Sequence, residues 1–272
     1  MLTTAPSTLS AEGVLCFTCP RSWNEMSQEQ LRYALHLIGC GMYSPLEVRT
    51  LLLLRFCGIV PVRNTPNGWS CYAPLCYRAG RKKPHRHHFF LQSWQVLDMT
   101  GQLEYVDSYE AFDVRLESIG GFKAVDGLLH GVRFWDYLQM EKYYQGYLAT
   151  KEGKYALGLA RLLYPEAAAS PQHSVQLLAI DDAELTNCVM WYSWVKKQFA
   201  SRYFRHFFRP FPVGQGKAVN WMEQMNAQIR ALTDGDITKE QAVYDKDCWR
   251  ALTELDAKAR EAEEFRKKYP SK

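Results

Sequence analysis

Apolar positions in this chain recur mainly at helical spacing. After Ser27, the residues Leu31, Ala34, Leu35 and Ile38 share one face of a helix. Ser27 and Gln30 can satisfy each other's backbone amides as a capping box, and Met26 is placed to staple onto Leu31. Gly39-Cys40-Gly41 interrupts the pattern. Ser44-Pro45-Leu46-Glu47 then starts a second helix with a capping box and proline at its first position, and Tyr43 is placed to staple Val48. This helix should end near Gly58. Leu51 to Leu54 are apolar at consecutive positions, which predicts protein around the helix rather than an exposed face.

Val14 to Cys19 alternates as a short strand does, and Pro20 stops it. Residues 61–88 carry Pro61, Pro66, Asn67-Gly68, Pro74, Gly80 and Pro84, which predict a loop-rich insertion, either a long loop or a hairpin of short strands. Helical patterns resume at Phe89 to Met99, at Phe134 to Leu148 and at Lys154 to Tyr164, where Pro165 ends the run. Asp181 with Glu184 opens a helix from Asp182 to about Phe208, with Leu185, Val189, Tyr192, Val195, Phe199, Tyr203 and Phe207 as its stripe.

Pro210, Pro212, Gly214 and Gly216 mark a boundary. Beyond it, residues 217–272 carry eleven basic and eleven acidic side chains. Thr238 and Gln241 form another capping box, and Cys248, Leu252, Leu255, Ala259 and Ala262 follow the spacing of a short heptad seam, a candidate partner surface. The expected fold is mainly α: a helical body over 1–213 with a short β element and the insertion at 61–88, then a charged helical appendage over 214–272.

The chain has 272 residues, 47% hydrophobic and 23% charged, close to globular averages, and 14% aromatic, which is high. Its longest apolar stretch, Leu51 to Val62, contains Arg55 and Pro61 and falls short of the ~18 residues that cross a bilayer. The first residues lack the pattern of a secretion signal, so a cytoplasmic, reducing environment is expected, with the eight cysteines as free thiols. A net charge of +4 and a pI near 8.5 are too mild to announce a nucleic-acid protein.

Cys16, Cys19, Cys71, Cys76 and His85 to His88 invite a zinc reading, because thiolate and imidazole ligands suit tetrahedral zinc. The spacing lacks paired tight knuckles and the context is basic, so these cysteines read instead as small buried hydrophobes, and no metal or cofactor is expected. Arg78, Arg81, Lys82, Lys83 and Arg86 fall in the most concentrated basic run and are candidate anion or nucleic-acid contacts; the alternative is a solvated loop tip. Lys196, Lys197, Arg202, Arg205 and Arg209 interleave with aromatic residues, but the aromatic period is that of a core stripe. The sequence has no phosphate-binding glycine loop, dinucleotide fingerprint, nucleophile elbow or paired-histidine zinc motif, so no catalytic residue is assigned and an enzyme is not expected.

Three segments carry a family resemblance. They are Pro20 to Leu31; Gly131-Val132-Arg133-Phe134 with Tyr144-Gln145-Gly146-Tyr147-Leu148 and Leu163-Tyr164; and Cys248 to Leu255. Together they resemble a family of uncharacterised proteins encoded in prophage and mobile-element clusters of gut anaerobes, near tail genes. In outline the chain also looks similar to tail-assembly chaperones, with a helical body and a charged helical extension. The resemblance implies a non-enzymatic phage assembly or structural protein, cytoplasmic or virion-associated, whose partners are other phage or mobile-element proteins or a second copy. It offers no catalytic residue to carry over. The basic run supports the alternative of a nucleic-acid-binding accessory protein of a mobile element.

Overall fold

The two local capping patterns near the N-terminus set helix starts as the sequence predicts. In the computed structural model, which describes residues 7–9, 15–75, 85–108, 112–165, 180–208 and 221–269, the fold is mainly α with a small three-stranded antiparallel sheet. The chain divides into two compact units, Met1–Val114 and Arg115–Lys272. This corrects the expected division at 213/214. No helix among the described residues is long and apolar enough to cross a membrane.

In the first unit, β1 (Ser7–Leu9) pairs antiparallel with β2 (Leu15–Phe17). Helix α1 (Gln28–Gly39) starts at Ser27, whose side chain accepts from the Gln30 amide while Gln30 Oε1 accepts from the Ser27 amide at 2.9 Å. Leu31, Ala34 and Leu35 are buried as expected; Leu37 is buried too, and Ile38 is only half-buried. Helix α2 (Pro45–Cys57) has the predicted capping box at Ser44 and Glu47, and its C-cap Gly58 takes the left-handed φ of 65° that glycine adopts without strain.

The segment expected to be loop-rich is largely sheet. Strands β3 (Val60–Thr65), β4 (Gly68–Leu75) and β5 (His85–Gln92) form a meander in the order β3-β4-β5. A two-residue turn at Pro66-Asn67, between the paired Thr65 and Gly68, sets the first hairpin, so the hairpin alternative is the one that holds. Pro61 is accommodated because β3 is an edge strand with an irregularity between Pro61 and Arg63. Phe89 to Gln92 complete β5, and the next helix, α3 (Ser93–Gly101), begins later than the pattern implied. Cross-strand pairing of Phe89 with Cys71 and Leu91 with Trp69 captures residues that by local spacing read as helix.

The second unit opens on the two-residue strands β6 (Ser118–Ile119) and β7 (Phe122–Lys123). Helices α4 (Phe134–Thr150) and α5 (Gly153–Leu163) form a hairpin turned by Lys151 at φ 58°. Helix α6 (Asp182–Gln198) is capped by Asp181, whose carboxylate accepts from the Glu184 amide at 2.8 Å. Asn187 Oδ1 accepts from the Leu116 amide at 3.1 Å and Tyr164 donates to the Leu116 carbonyl at 2.7 Å, tying the irregular segment before β6 into this core.

The long helix predicted to reach about Phe208 changes character. Phe199–Tyr203 form a π-helical turn, closed by the Phe204 amide donating to the Phe199 carbonyl at 2.7 Å. The wider turn shifts the phase of the helix, so Phe199 and Phe204 are buried at 0% and 3% exposure while Tyr203 is 36% exposed. The predicted stripe through Tyr203 and Phe207 is corrected accordingly.

The C-terminal region contains α7 (Trp221–Thr233), α8 (Glu240–Tyr244) and α9 (Cys248–Lys268). Thr238 does not cap a helix: Asp236 accepts from its amide at 3.0 Å, opening a short turn before α8. Nor is the region an appendage. The Phe134 amide donates to the Lys246 carbonyl at 2.7 Å, the Cys248 amide to the Val132 carbonyl at 2.8 Å, and the Gly131 amide to Asp247 Oδ2 at 2.7 Å. These bonds join the starts of α4 and α9, and α4 packs against α7, α8 and α9 within the second unit. The contacts of the half-buried Trp249 explain the difference: its indole donates to the Leu128 carbonyl at 2.6 Å, stacks on His130 with centroids 4.1 Å apart, and meets Phe204 edge-on.

Candidate functional site

Helix α2 is apolar nearly all round, yet the first unit covers only part of it. Val48, Leu52, Leu53, Phe56 and Cys57 point into the core. Leu46, Leu51 and Leu54 face the other way, into a groove of about 520 Å³ between α2, Trp69 of β4 and Val96 and Leu97 of α3. Tyr43, the residue expected to staple Val48, lines this groove and is 40% exposed.

The groove walls are largely hydrocarbon and aromatic. Leu97 is 57% exposed and Leu46 42%, and the neighbouring Trp94 is 63% exposed, so three large apolar side chains meet solvent together. Its one charged lining residue is Glu47. The Ser44 backbone amide and hydroxyl each donate to Glu47 Oε2 at 2.8 Å, and these bonds hold its carboxyl below the usual glutamate range. Thr50 donates back to the Leu46 carbonyl at 2.8 Å, which leaves little hydrogen-bonding demand in the floor. The site can accept apolar side chains with a cation at the Glu47 rim.

The predicted contact residues fall elsewhere. Of the basic run, Arg78, Arg81, Lys82 and Lys83 lie outside the described residues; Arg86 is exposed on β5, with its guanidinium 4.9 Å from the centre of the Tyr72 ring. In the C-terminal seam, Cys248, Leu252 and Leu255 are buried, Ala259 is half-buried and Ala262 exposed. The seam is therefore mostly spent on the core of its own unit. Its far end, Leu255 and Ala259, lines a cleft of about 550 Å³ with Glu141, Lys196 and Phe208. There the Glu141 carboxylate accepts from Tyr192 at 2.6 Å and from Lys196 at 2.8 Å, so the buried charge is satisfied within the wall.

Of the zinc candidates, Cys71 is buried in β4, Cys16 is exposed, and Cys76 lies outside the described residues. Among the described residues no group of three or more His, Cys, Asp or Glu side chains is placed to hold a metal ion.

Sequence reading missed Trp69, Val96 and Leu97 as site residues. A usable signal was present: Trp94 and Leu97 are one turn apart on α3 and both exposed, beside the buried Val96 and Thr100. Comparison of the chain with protein-family models, curated proteins and solved structures finds no match.

Proposed function

We propose that this chain is a non-enzymatic protein that works through protein contacts, and that the groove on its first unit receives an amphipathic helix of another protein. The observation that carries this is α2 itself: a helix apolar on consecutive positions is normally enclosed, and here one of its faces lies open along Leu46, Leu51 and Leu54. Covering a leucine fully contributes ~2 kcal/mol, enough for a few such contacts to support micromolar binding. The occupant should place leucine-like side chains along one helical stripe and a lysine or arginine beside Glu47, the one lining charge. The resemblance to prophage-encoded proteins near tail genes supports assembly as the setting, with the chain holding a helical segment of a tail protein as a tail-assembly chaperone would.

The test uses labelled amphipathic helical peptides of about 18 residues with a leucine stripe and flanking lysines, titrated with the full chain by fluorescence anisotropy. Micromolar binding is expected, weakened about tenfold or more by Leu97→Glu and by Leu46→Glu while the far-UV spectrum stays unchanged. Absence of binding at ~1 mM, or equal binding by both variants, overturns the reading. A wild-type dimer that Leu97→Glu converts to monomer would show a second copy on this face and overturn the choice of partner.

A further inference from the structure

Cys57 is the last residue of α2 and is fully buried. Its Sγ lies 3.9 Å from the carbonyl oxygen of Thr18, the residue before Cys19, which brings its thiol close enough to that of Cys19 for each to shift the other's ionisation. Cys19 belongs to the irregular segment after β2 and is partly open to solvent. One thiol can thus be reached from outside, and the other waits behind it.

We propose that Cys19 and Cys57 are an oxidisable pair, in which a hydroperoxide oxidises Cys19 and Cys57 resolves the product as a disulfide. The roles follow from position. A thiolate at Cys57 would sit without water at the negative end of the α2 dipole, so the proton stays there and is offered to Cys19. The hydrogen bond from Cys57 lowers the Cys19 thiol below the ordinary cysteine value, against the opposing effect of burial. The same contact, with burial, pushes Cys57 far up. Among the surrounding groups, Tyr105 donates to the Pro20 carbonyl at 3.1 Å and remains a neutral phenol, raised by burial and then by the charges of Cys19 and Glu25.

In the first step the Cys19 thiolate attacks the peroxide O–O bond; one oxygen joins sulfur as sulfenic acid, and the other leaves as water after taking a proton from solvent. In the second, the Cys57 sulfur attacks the Cys19 sulfenic sulfur, the S–O bond breaks, and the hydroxyl leaves as water with the Cys57 proton. In sum, two thiols and one peroxide give one disulfide and two waters. The sulfurs must close to a bond of about 2.05 Å, and Cys19, outside any helix or strand, is the partner able to move.

The experiment treats the reduced full chain with one equivalent of hydrogen peroxide, then maps cysteine-containing peptides by mass spectrometry. The expected product is a Cys19–Cys57 cross-link that a dithiol reverses. Cys57→Ser should instead accumulate a dimedone-reactive sulfenic acid at Cys19, and Cys19→Ser should slow peroxide consumption about tenfold. Cys16→Ser, which alters the exposed cysteine near Cys19, should leave the cross-link in place. A cross-link between other cysteines, or Cys19 and Cys57 both surviving as thiols while Cys16 or Cys40 is oxidised, overturns the proposal. The wild-type mapping decides the matter even if a variant folds poorly.

Discussion

The ring of Tyr143 stands where a side chain on Gly158 would have to go: a Cβ added there would lie 2.4 Å from its nearest ring carbons. Gly146 makes the reverse fit, with an added Cβ 2.5 Å from the ring of Tyr155. Each helix of the α4–α5 hairpin thus seats a tyrosine of the other over a glycine. In an open helix, glycine to alanine stabilises by about 1 kcal/mol. Here the sign should reverse, with Gly158→Ala destabilising by about 2 kcal/mol in denaturant titration. Gly153→Ala, where the added Cβ meets nothing within 4 Å, should be neutral or stabilising.

A buried carboxylate raises the second expectation. Glu141 is 7% exposed, and Lys196 and Tyr192 satisfy both of its oxygens. Lys196→Met leaves the charge without its cation and should destabilise the second unit by about 3 kcal/mol. The pair Lys196→Met with Glu141→Leu should recover much of that loss, because no buried charge remains to be compensated. A double variant no more stable than the single one would mean that Glu141 was never the source of the cost.

Glu47 supplies a pH dependence. Its folded-state pKa lies below the usual 4.5, so the carboxylate form is favoured by folding. The associated stability is fully present above 4.5 and is lost as pH falls through the lower folded-state value. Melting temperatures of the wild type and Glu47→Gln, followed downward through this acid range, should converge. Curves that stay parallel would remove the capping carboxylate as the cause. Ser44→Ala should cost about 1 kcal/mol at neutral pH through loss of the cap.

The C-terminal helix should prove indispensable to its unit. Trp249→Ala removes the stacking on His130 and the bond to Leu128, and should destabilise by about 3 kcal/mol. Ending the chain at Gly216 removes Cys248, Leu252 and Leu255 from the core altogether, and cooperative melting of the second unit should disappear. A truncated chain that melts as the full one does would restore α9 as a detachable appendage.

What the sequence settled by itself lies within a few residues along the chain. The boxes at Ser27, Ser44 and Asp181 each pair a cap with a side chain three positions on, so helix starts were legible without the rest of the molecule. Helical spacing likewise revealed α4 and α5. Tertiary structure decided the rest, because each remaining outcome depends on partners far away in the chain. Phe89 and Leu91 became strand through pairing with Cys71 and Trp69. The π turn at Phe199–Tyr203 exchanged Tyr203 for Phe204 in the core, where Trp249, far along the chain, packs against it. The leucines of α2 were visible as apolar from the start, but which of them would lack cover depended on how much of the helix the sheet and α3 could reach. Local pattern specifies that a side chain seeks burial; the neighbours that arrive determine whether it is buried within the chain or left for a partner.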